Sequence, residues 1–116
     1  MNIEDIQSFC KSLPAVTEDV KWGNDLVFSV GGKMFCVIGL GESPTNASFK
    51  VTDEEFNEIT SREGFRPAPY VAKYKWVFIE DITKMSKTEW KKYLEQSYEL
   101  VKAKLPLKIK KQFKLT

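Results

Sequence analysis

The side chains that could do chemistry in this chain are few, and they stand apart from one another. No histidine is present, so the commonest general base and the commonest transition-metal ligand are missing. The two cysteines, Cys10 and Cys36, form no CxxC pair and fall short of the roughly four ligands that a structural zinc site needs. We therefore expect no catalytic residues, no metal site and no cofactor, and we read the protein as a non-enzyme.

Two short motifs have to be weighed as sites before that reading stands. Gly39-Leu40-Gly41 begins like a dinucleotide-binding fingerprint, but Pro44 occupies the place of the third glycine and no parallel β-α-β unit surrounds it. Those glycines are better explained as a loop between strands. Glu18 and Asp19 could together coordinate a hard cation, although neighbouring carboxylates at a surface turn are usually only solvated.

The densest aromatic and basic stretch is GFRPAPYVAKYKWVFIE, residues 64–80. If its second half is a strand, alternate side chains point to opposite faces. The lysines and the aromatic residues then fall on opposite faces. One face carries Lys73, Lys75 and Val77, and the other carries Tyr74, Trp76 and Phe78. We expect the aromatic set to pack beneath helices as core and the lysines to point to the open face of the sheet.

A loop precedes this strand and carries Arg66 and Tyr70. Pro67 and Pro69 stiffen it, and proline-stiffened loops display binding side chains at a low entropic cost. The stretch is therefore either a solvated face of an ordinary strand or a basic binding surface. The residues alone leave both readings open.

The net charge of +2 conceals an asymmetry along the chain. Residues 1–60 carry four lysines against ten carboxylates, whereas residues 61–116 carry fourteen basic residues against six carboxylates. Such a division either orients a domain toward a polyanion or lets its two halves attract each other.

The chain is long enough for one domain, residues 1–116, with a basic tail from about residue 106. No apolar run approaches the roughly 20 residues of a membrane-spanning helix. The acidic, amphipathic N-terminus resembles no signal or transit peptide, and unpaired cysteines suit a reducing compartment. We expect a cytoplasmic monomer with no membrane partner.

Capping signals and proline predict three helices. The first begins after Asn2 and ends before Pro14. Capping boxes predict the other two, formed by Thr52 with Glu55 and by Ser86 with Glu89, and the last helix runs over roughly residues 87–104.

Alternation and turn residues predict the strands. Residues 26–30 and 33–38 form a hairpin through Gly31-Gly32, and ASFKV, residues 47–51, makes a third strand. A brief strand at residues 70–71 and a better one over 75–79 follow. The fold class is thus two-layer α+β, an antiparallel sheet covered by helices on one face. The tail after Pro106 either extends the last helix, docks a partner or stays disordered.

Four segments, LPAVTEDVKWG, VFSVGGKMFCVIG, RPAPYVAKYKWVFIE and SYELVKAKLPLKIKK, appear in this order across almost the whole chain. In that order and spacing they resemble the MmcQ/YjbR family of small bacterial proteins. The resemblance implies an α-β(3)-α-β(2)-α fold with an antiparallel sheet. It also implies DNA binding through a winged α/β surface.

The resemblance carries over at the following positions: Trp22, Gly23, Gly32, Lys33, Arg66, Pro67, Tyr70, Lys73, Trp76, Tyr98, Leu105 and Pro106. Some of these positions are expected to be structural, in a turn and on the core face of the helix: Trp22-Gly23, Tyr98 and Leu105-Pro106. The residues expected to contact nucleic acid are Lys33, Arg66, Tyr70, Lys73 and Lys75. The isoelectric point near 8.5 is below the value above about 9 that is typical of a dedicated basic domain, which argues against tight nonspecific binding.

Three functions follow from these observations. The first is a DNA-binding or regulatory domain that uses the basic face and the segment Arg66 to Trp76, with double-stranded DNA as its partner. The second is a protein- or peptide-interaction module that uses an edge strand or the open face. The third is a small-ligand-binding domain with a pocket between Trp22, Tyr70 and Trp76.

Overall fold

In the computed structural model, which describes all 116 residues, an antiparallel sheet carries helices on one face. The elements in chain order are α1 (Ile3–Ser12), β1 (Val16–Lys21), β2 (Asp25–Val30), β3 (Lys33–Gly39), β4 (Asn46–Lys50), α2 (Asp53–Thr60), β5 (Phe65–Pro67), β6 (Trp76–Ile79), α3 (Lys87–Ala103) and α4 (Leu107–Gln112). Two short 3-10 helices, Ala72–Tyr74 and Ile82–Lys84, flank β6. No helix has the length and apolar character that crossing a membrane requires.

The six strands lie in the order β1-β2-β3-β4-β6-β5, and every neighbouring pair is antiparallel. The predicted α+β class with an antiparallel sheet is confirmed. One strand more than predicted is present, because Glu18 and Asp19 lie on the edge strand β1 and not in a surface turn. Four of the six residues of β1 are exposed. Since few of its side chains are buried, its sequence VTEDVK does not show the alternation of apolar and polar residues that predicts a strand.

The segment before β6 also differs from expectation. The predicted strand at residues 70–71 is wrong, and the edge strand is β5, which pairs with β6 from Phe65↔Ile79 to Pro67↔Val77. Tyr70 has φ of 68° and Lys75 has φ of 65°, left-handed conformations that interrupt an extended chain. Residues 68–75 are therefore a loop between the two strands.

The faces of β6 are the reverse of the prediction. Val77 and Ile79 belong to the core beneath the helices, whereas Trp76 and Phe78 alternate with them and point to the uncovered face. The run WVFI is apolar at every position. No alternation of polar and apolar residues therefore indicates which face of this strand is buried. The expectation that the aromatic set forms the helix-covered core was wrong.

The core is built where the apolar stripe of α3 meets the sheet. The ring of Trp90 lies 5.6 Å from that of Phe49, and the ring of Tyr98 lies 5.5 Å from that of Phe35, both edge to face. The helix boundaries were predicted well. Capping boxes close the N-termini of α1, α2 and α3 at Asn2, Thr52 and Ser86.

One buried hydroxyl ties α3 to two strands. The Ser97 Oγ donates to the carbonyl of Phe35 at 2.6 Å and accepts from the backbone N–H of Lys50 at 2.9 Å. These two backbone groups lie next to the first β3–β4 register pair, Cys36↔Phe49, just where β3 has its register shift against β2. Ser97 therefore supplies hydrogen bonds at the end of the ladder.

The basic tail docks on its own domain. Residues after Pro106 form α4, and Ile109 packs against the core. Gly31, in the β2–β3 turn with φ of 57°, approaches so closely that a Cβ there would lie 2.6 Å from Leu105 Cδ1 and 3.1 Å from Ile109 Cγ2. The hairpin turn and the end of the chain are thus packed together.

Ser97→Ala should lower the free energy of unfolding by about 1–3 kcal/mol, because two buried backbone groups lose their partner. Urea unfolding followed by circular dichroism measures this. Ser61→Ala is the matched control, since that exposed hydroxyl also donates to a backbone carbonyl, and its effect should stay within about 0.5 kcal/mol. Equal effects of the two substitutions would contradict the bridging role.

Gly31→Ala should destabilise the protein more than Gly32→Ala, by about 1 kcal/mol or more, because the added methyl collides with Leu105. Gly32 is a strict control: its φ of 83° strains an alanine too, yet a Cβ there would meet no atom within 4 Å. The comparison uses urea midpoints for both variants. If Gly32→Ala costs as much, the tail does not press on the turn.

Candidate ligand site on the open face of the sheet

The face of the sheet that lacks helices carries a row of small and apolar side chains. Phe28, Cys36 and Phe49 are core residues, so Val27, Val37 and Ser48, which stand next to them in the strands, point the other way. The register joins these neighbours side by side across four strands, as Val27↔Val37, Val37↔Ser48 and Ser48↔Phe78. Val37 and Ser48 of this row form the floor of a concave surface.

A cavity of about 470 Å³ lies on this floor. Its lining residues come from β2, β3, β4, β6, the β1–β2 turn and the loop after β5: Trp22, Asp25, Met34, Val37, Ser48, Ala68, Pro69, Tyr70, Val71 and Trp76. The volume falls within the roughly 300–1,000 Å³ of small-molecule sites, and the lining is mainly apolar, as such sites usually are.

Two aromatic side chains form walls of the cavity and are left in solvent. Trp22 is 68% exposed and Tyr70 is 100% exposed, whereas Trp76 beside them is only 5% exposed. Trp22 and Tyr70 both have positive φ, 51° and 68°, which costs of order 1–3 kcal/mol for a residue other than glycine. Neither side chain packs in the core, so their placement serves no visible purpose of folding.

The cavity has one charged lining residue, Asp25, and one small hydroxyl, Ser48. The half-buried Asp25 carboxylate makes no side-chain hydrogen bond and no ion pair within 4.0 Å, although Lys21 is its register partner on β1. The Ser48 hydroxyl makes no hydrogen bond either. Both polar groups are therefore free to meet a ligand.

Of the five residues predicted to contact nucleic acid, only Tyr70 lines this cavity. The Arg66 guanidinium lies 4.4 Å from the centre of the Phe78 ring, at the β5 edge of the same face. Lys73 Nζ lies 5.1 Å from the Tyr74 ring. These basic groups are held beside aromatic rings outside the cavity.

The predicted lysines do not share the open face. Lys75 Nζ lies 5.1 Å from the Phe56 ring of α2, on the helix side. Lys33 neighbours Met34, which lines the cavity, so Lys33 points to the helix side as well. The expectation that the lysines point to the open face was wrong, because Lys73 and Lys75 belong to a loop and not to a strand.

Lys50, Lys75 and Lys104 gather at the end of the sheet where α3 finishes. Burial lowers the pKa of Lys50, and the positive charges of Lys104 and Lys75 lower it further, against an opposing effect of Asp53. Lys50 Nζ donates to the carbonyl of Tyr74, and the turn before Lys33 abuts Leu105. We call this region the basic end; the side chains that define it are Lys50, Lys75 and Lys104.

Carboxylates also occur at two places outside this cavity. The predicted pair diverges, since the Glu18 carboxylate accepts from Gln7 and from Lys11, which lower its pKa, while Asp19 bonds to the backbone N–H of Val20. No group of three or more cysteine or acidic residues is arranged to hold a metal ion. A larger depression of about 640 Å³ beside the start of α1 is lined mainly by polar loop residues and has no aromatic wall.

Residues far apart in sequence build the cavity, and sequence reasoning found only part of it. Trp22, Tyr70 and Trp76 were proposed together as a pocket. Asp25 and Ser48 were missed, because only the register of β2, β3 and β4 brings them to one face. No local signal in the chain marks either residue.

Comparison with known proteins places this fold in a family. A family model described as YjbR matches residues 11–100. A Deinococcus radiodurans protein with a domain described as DUF419 is 24% identical, with a TM-score of 0.87 over 99% of this chain and 89% of that one. A Pseudomonas syringae protein is 17% identical, with a TM-score of 0.71 over 87% of this chain and 99% of that one.

At these identities the two structures establish a shared fold and nothing about a ligand. No curated protein matches the chain. The family model itself covers most of the sequence, from α1 into the last turns of α3. The chain therefore belongs to the YjbR family.

Proposed function

We propose that this protein is a non-catalytic binding domain that holds a small molecule with a flat, apolar body in the cavity of the open face. The observation that carries the proposal is the pair of exposed aromatic walls, Trp22 and Tyr70, facing a cavity whose buried aromatic is Trp76. Exposed aromatic side chains cost hydration free energy that a ligand recovers when it covers them.

The shape of the site supports a small ligand. Trp22 reaches the cavity from the turn after β1, and Tyr70 reaches it from the loop after β5. A flat ring entering between these walls gains aromatic contact on its faces while its edge rests on Val37 and Met34. Pro67 and Pro69 restrict the backbone of the segment that carries Tyr70. The loop therefore loses little conformational entropy when a ligand binds.

The polar groups of the cavity support binding rather than catalysis. Asp25, Ser48 and Tyr70 make no hydrogen bond to one another, whereas an activated nucleophile is held by its base. Their arrangement suits orienting a ligand.

Trp22→Ala and Tyr70→Ala should each weaken binding of a neutral indole alcohol, tryptophol, by about tenfold, because each removes one aromatic wall. Titrations followed by the indole N–H resonances of the protein measure this. The Trp22 and Trp76 signals should move, and the signal of the core residue Trp90 should stay. Tyr74→Ala is the matched control, since Tyr74 is 55% exposed and does not line the cavity.

Saturable binding that Tyr74→Ala weakens as much as Tyr70→Ala would contradict this location. An absence of saturable binding by tryptophol and by a panel of other planar aromatic compounds would overturn the proposed function. Circular dichroism melts of the variants separate loss of binding from loss of fold, and substitution of exposed residues such as Trp22 should leave the melting temperature unchanged.

A second candidate function is binding of double-stranded DNA, and the basic end favours it. Burial lowers the pKa of Lys50, and Lys104 and Lys75 lie close enough to lower it further, with Asp53 as an opposing charge. Phosphate groups relieve such crowding, and lysines contact them as point charges. In this candidate, Lys33, Lys73 and Lys75 contact the phosphate backbone from the end of the sheet, while Arg66 and Tyr70 would meet it only at the neighbouring edge.

A double variant, Lys75→Ala with Lys104→Ala, should make the salt dependence of DNA binding shallower by about two units of log–log slope, since each phosphate contact contributes about 0.9. Fluorescence anisotropy of a labelled duplex over a salt series measures the slope. Lys87→Ala with Lys91→Ala is the charge-matched control at the other part of α3. No binding at low salt, or an equal change in the control, would exclude the basic end as a DNA site.

A further inference from the structure

We infer that the ligand of the open-face cavity is a small organic cation, an amine or quaternary ammonium attached to a flat apolar body. This inference rests on the proposed ligand-binding function and adds the charge of the ligand. It comes from one carboxylate, Asp25, and from the aromatic side chains around it.

Asp25 is the only charged residue among the lining residues of the cavity. It lies at the start of β2, half-buried, with no hydrogen bond to its carboxylate. Its register partner Lys21 does not come within ion-pairing distance. Because apolar walls exclude water from this carboxylate, an ion pair between it and a bound cation is stronger than a pair in open solvent.

The aromatic lining suits the same charge. Trp22, Tyr70 and Trp76 present π-systems to the cavity, and a cation near the face of such a ring is attracted by its negative quadrupole. Tryptophan is the best of these partners. Walls of this kind together with one carboxylate are the chemistry that recognises alkylated ammonium groups.

Three basic side chains of β4, β5 and the loop before β6 are held by other groups and do not enter the cavity. Arg66 is placed over the Phe78 ring, Lys73 over the Tyr74 ring, and Lys50 bonds to the Tyr74 carbonyl. None of the three lines the cavity. A domain of net charge +2 thus carries a cavity whose lining has a single negative charge.

The test uses three probes that share one indole ring and differ in charge: tryptamine, tryptophol and indole-3-acetate. Tryptamine should bind about tenfold more tightly than tryptophol, and indole-3-acetate should bind most weakly. The shifts of the Trp22 and Trp76 indole N–H resonances give each dissociation constant. Raising the salt concentration should weaken tryptamine binding and leave tryptophol binding nearly unchanged.

Asp25→Asn should remove the preference, so that tryptamine and tryptophol bind within about twofold of each other. Asp25 makes no side-chain hydrogen bond, so this nearly isosteric change leaves the fold in place. Asp19→Asn is the matched control: Asp19 belongs to the neighbouring strand and does not line the cavity, and its variant should keep the full preference.

The outcomes separate this inference from the function on which it rests. If tryptophol binds at Trp22 and Trp76 as tightly as tryptamine, the cation preference is refuted while the ligand site stands. A preference that survives Asp25→Asn, or disappears in Asp19→Asn, also refutes the role of Asp25. If neither these probes nor the panel of planar aromatic compounds binds, both the function and the inference are overturned.

Discussion

The packing of α3 against one face of the sheet is the interaction on which the rest of the structure depends. Trp90, Leu94 and Tyr98 are fully or almost fully buried against that face, and Ser97 bonds to β3 and β4 at the same time. With the core residues of each strand committed to the helices, every alternate residue must face the other way. The second face of the sheet therefore carries no helix, and only loops and turns can cover its side chains.

That surface is unlike an ordinary solvated face. Antiparallel sheets with one covered face usually place polar residues on the other, yet here Val27 and Trp76 are almost fully buried without any helix above them. The loop of residues 68–71 and the turn at Trp22 provide partial cover and stop short of closing it. The result is a cavity between two irregular segments on a rigid floor, which is where binding sites are commonly built. Opposite charges lie in separate places, with lysines at the end of α3 and one carboxylate in the cavity.

Sequence reasoning succeeded where structure is determined locally. Capping boxes at Thr52 and Ser86, and the glycine pair of the hairpin, specify their elements through residues within a few positions of one another. It failed where the answer depends on distant contacts. Either face of the apolar run of β6 could be buried, and its pairing with β4 decides which one is. Asp25, Ser48 and Tyr70 come to line one cavity only when the sheet is assembled. The fold class could therefore be predicted, and the polar half of the site could not.

The edge strand β1 shows how one set of residues has two effects. The polar residues Thr17, Glu18, Asp19 and Lys21 make β1 hard to recognise as a strand, because an apolar alternation is missing. The same charges lie along six residues of exposed backbone, a length that could pair with another sheet and start aggregation. Charged side chains on an edge oppose that pairing. At the opposite edge, β5 has only three residues and ends in a proline without an N–H. Both edges of the sheet thus carry features that oppose edge-to-edge strand pairing.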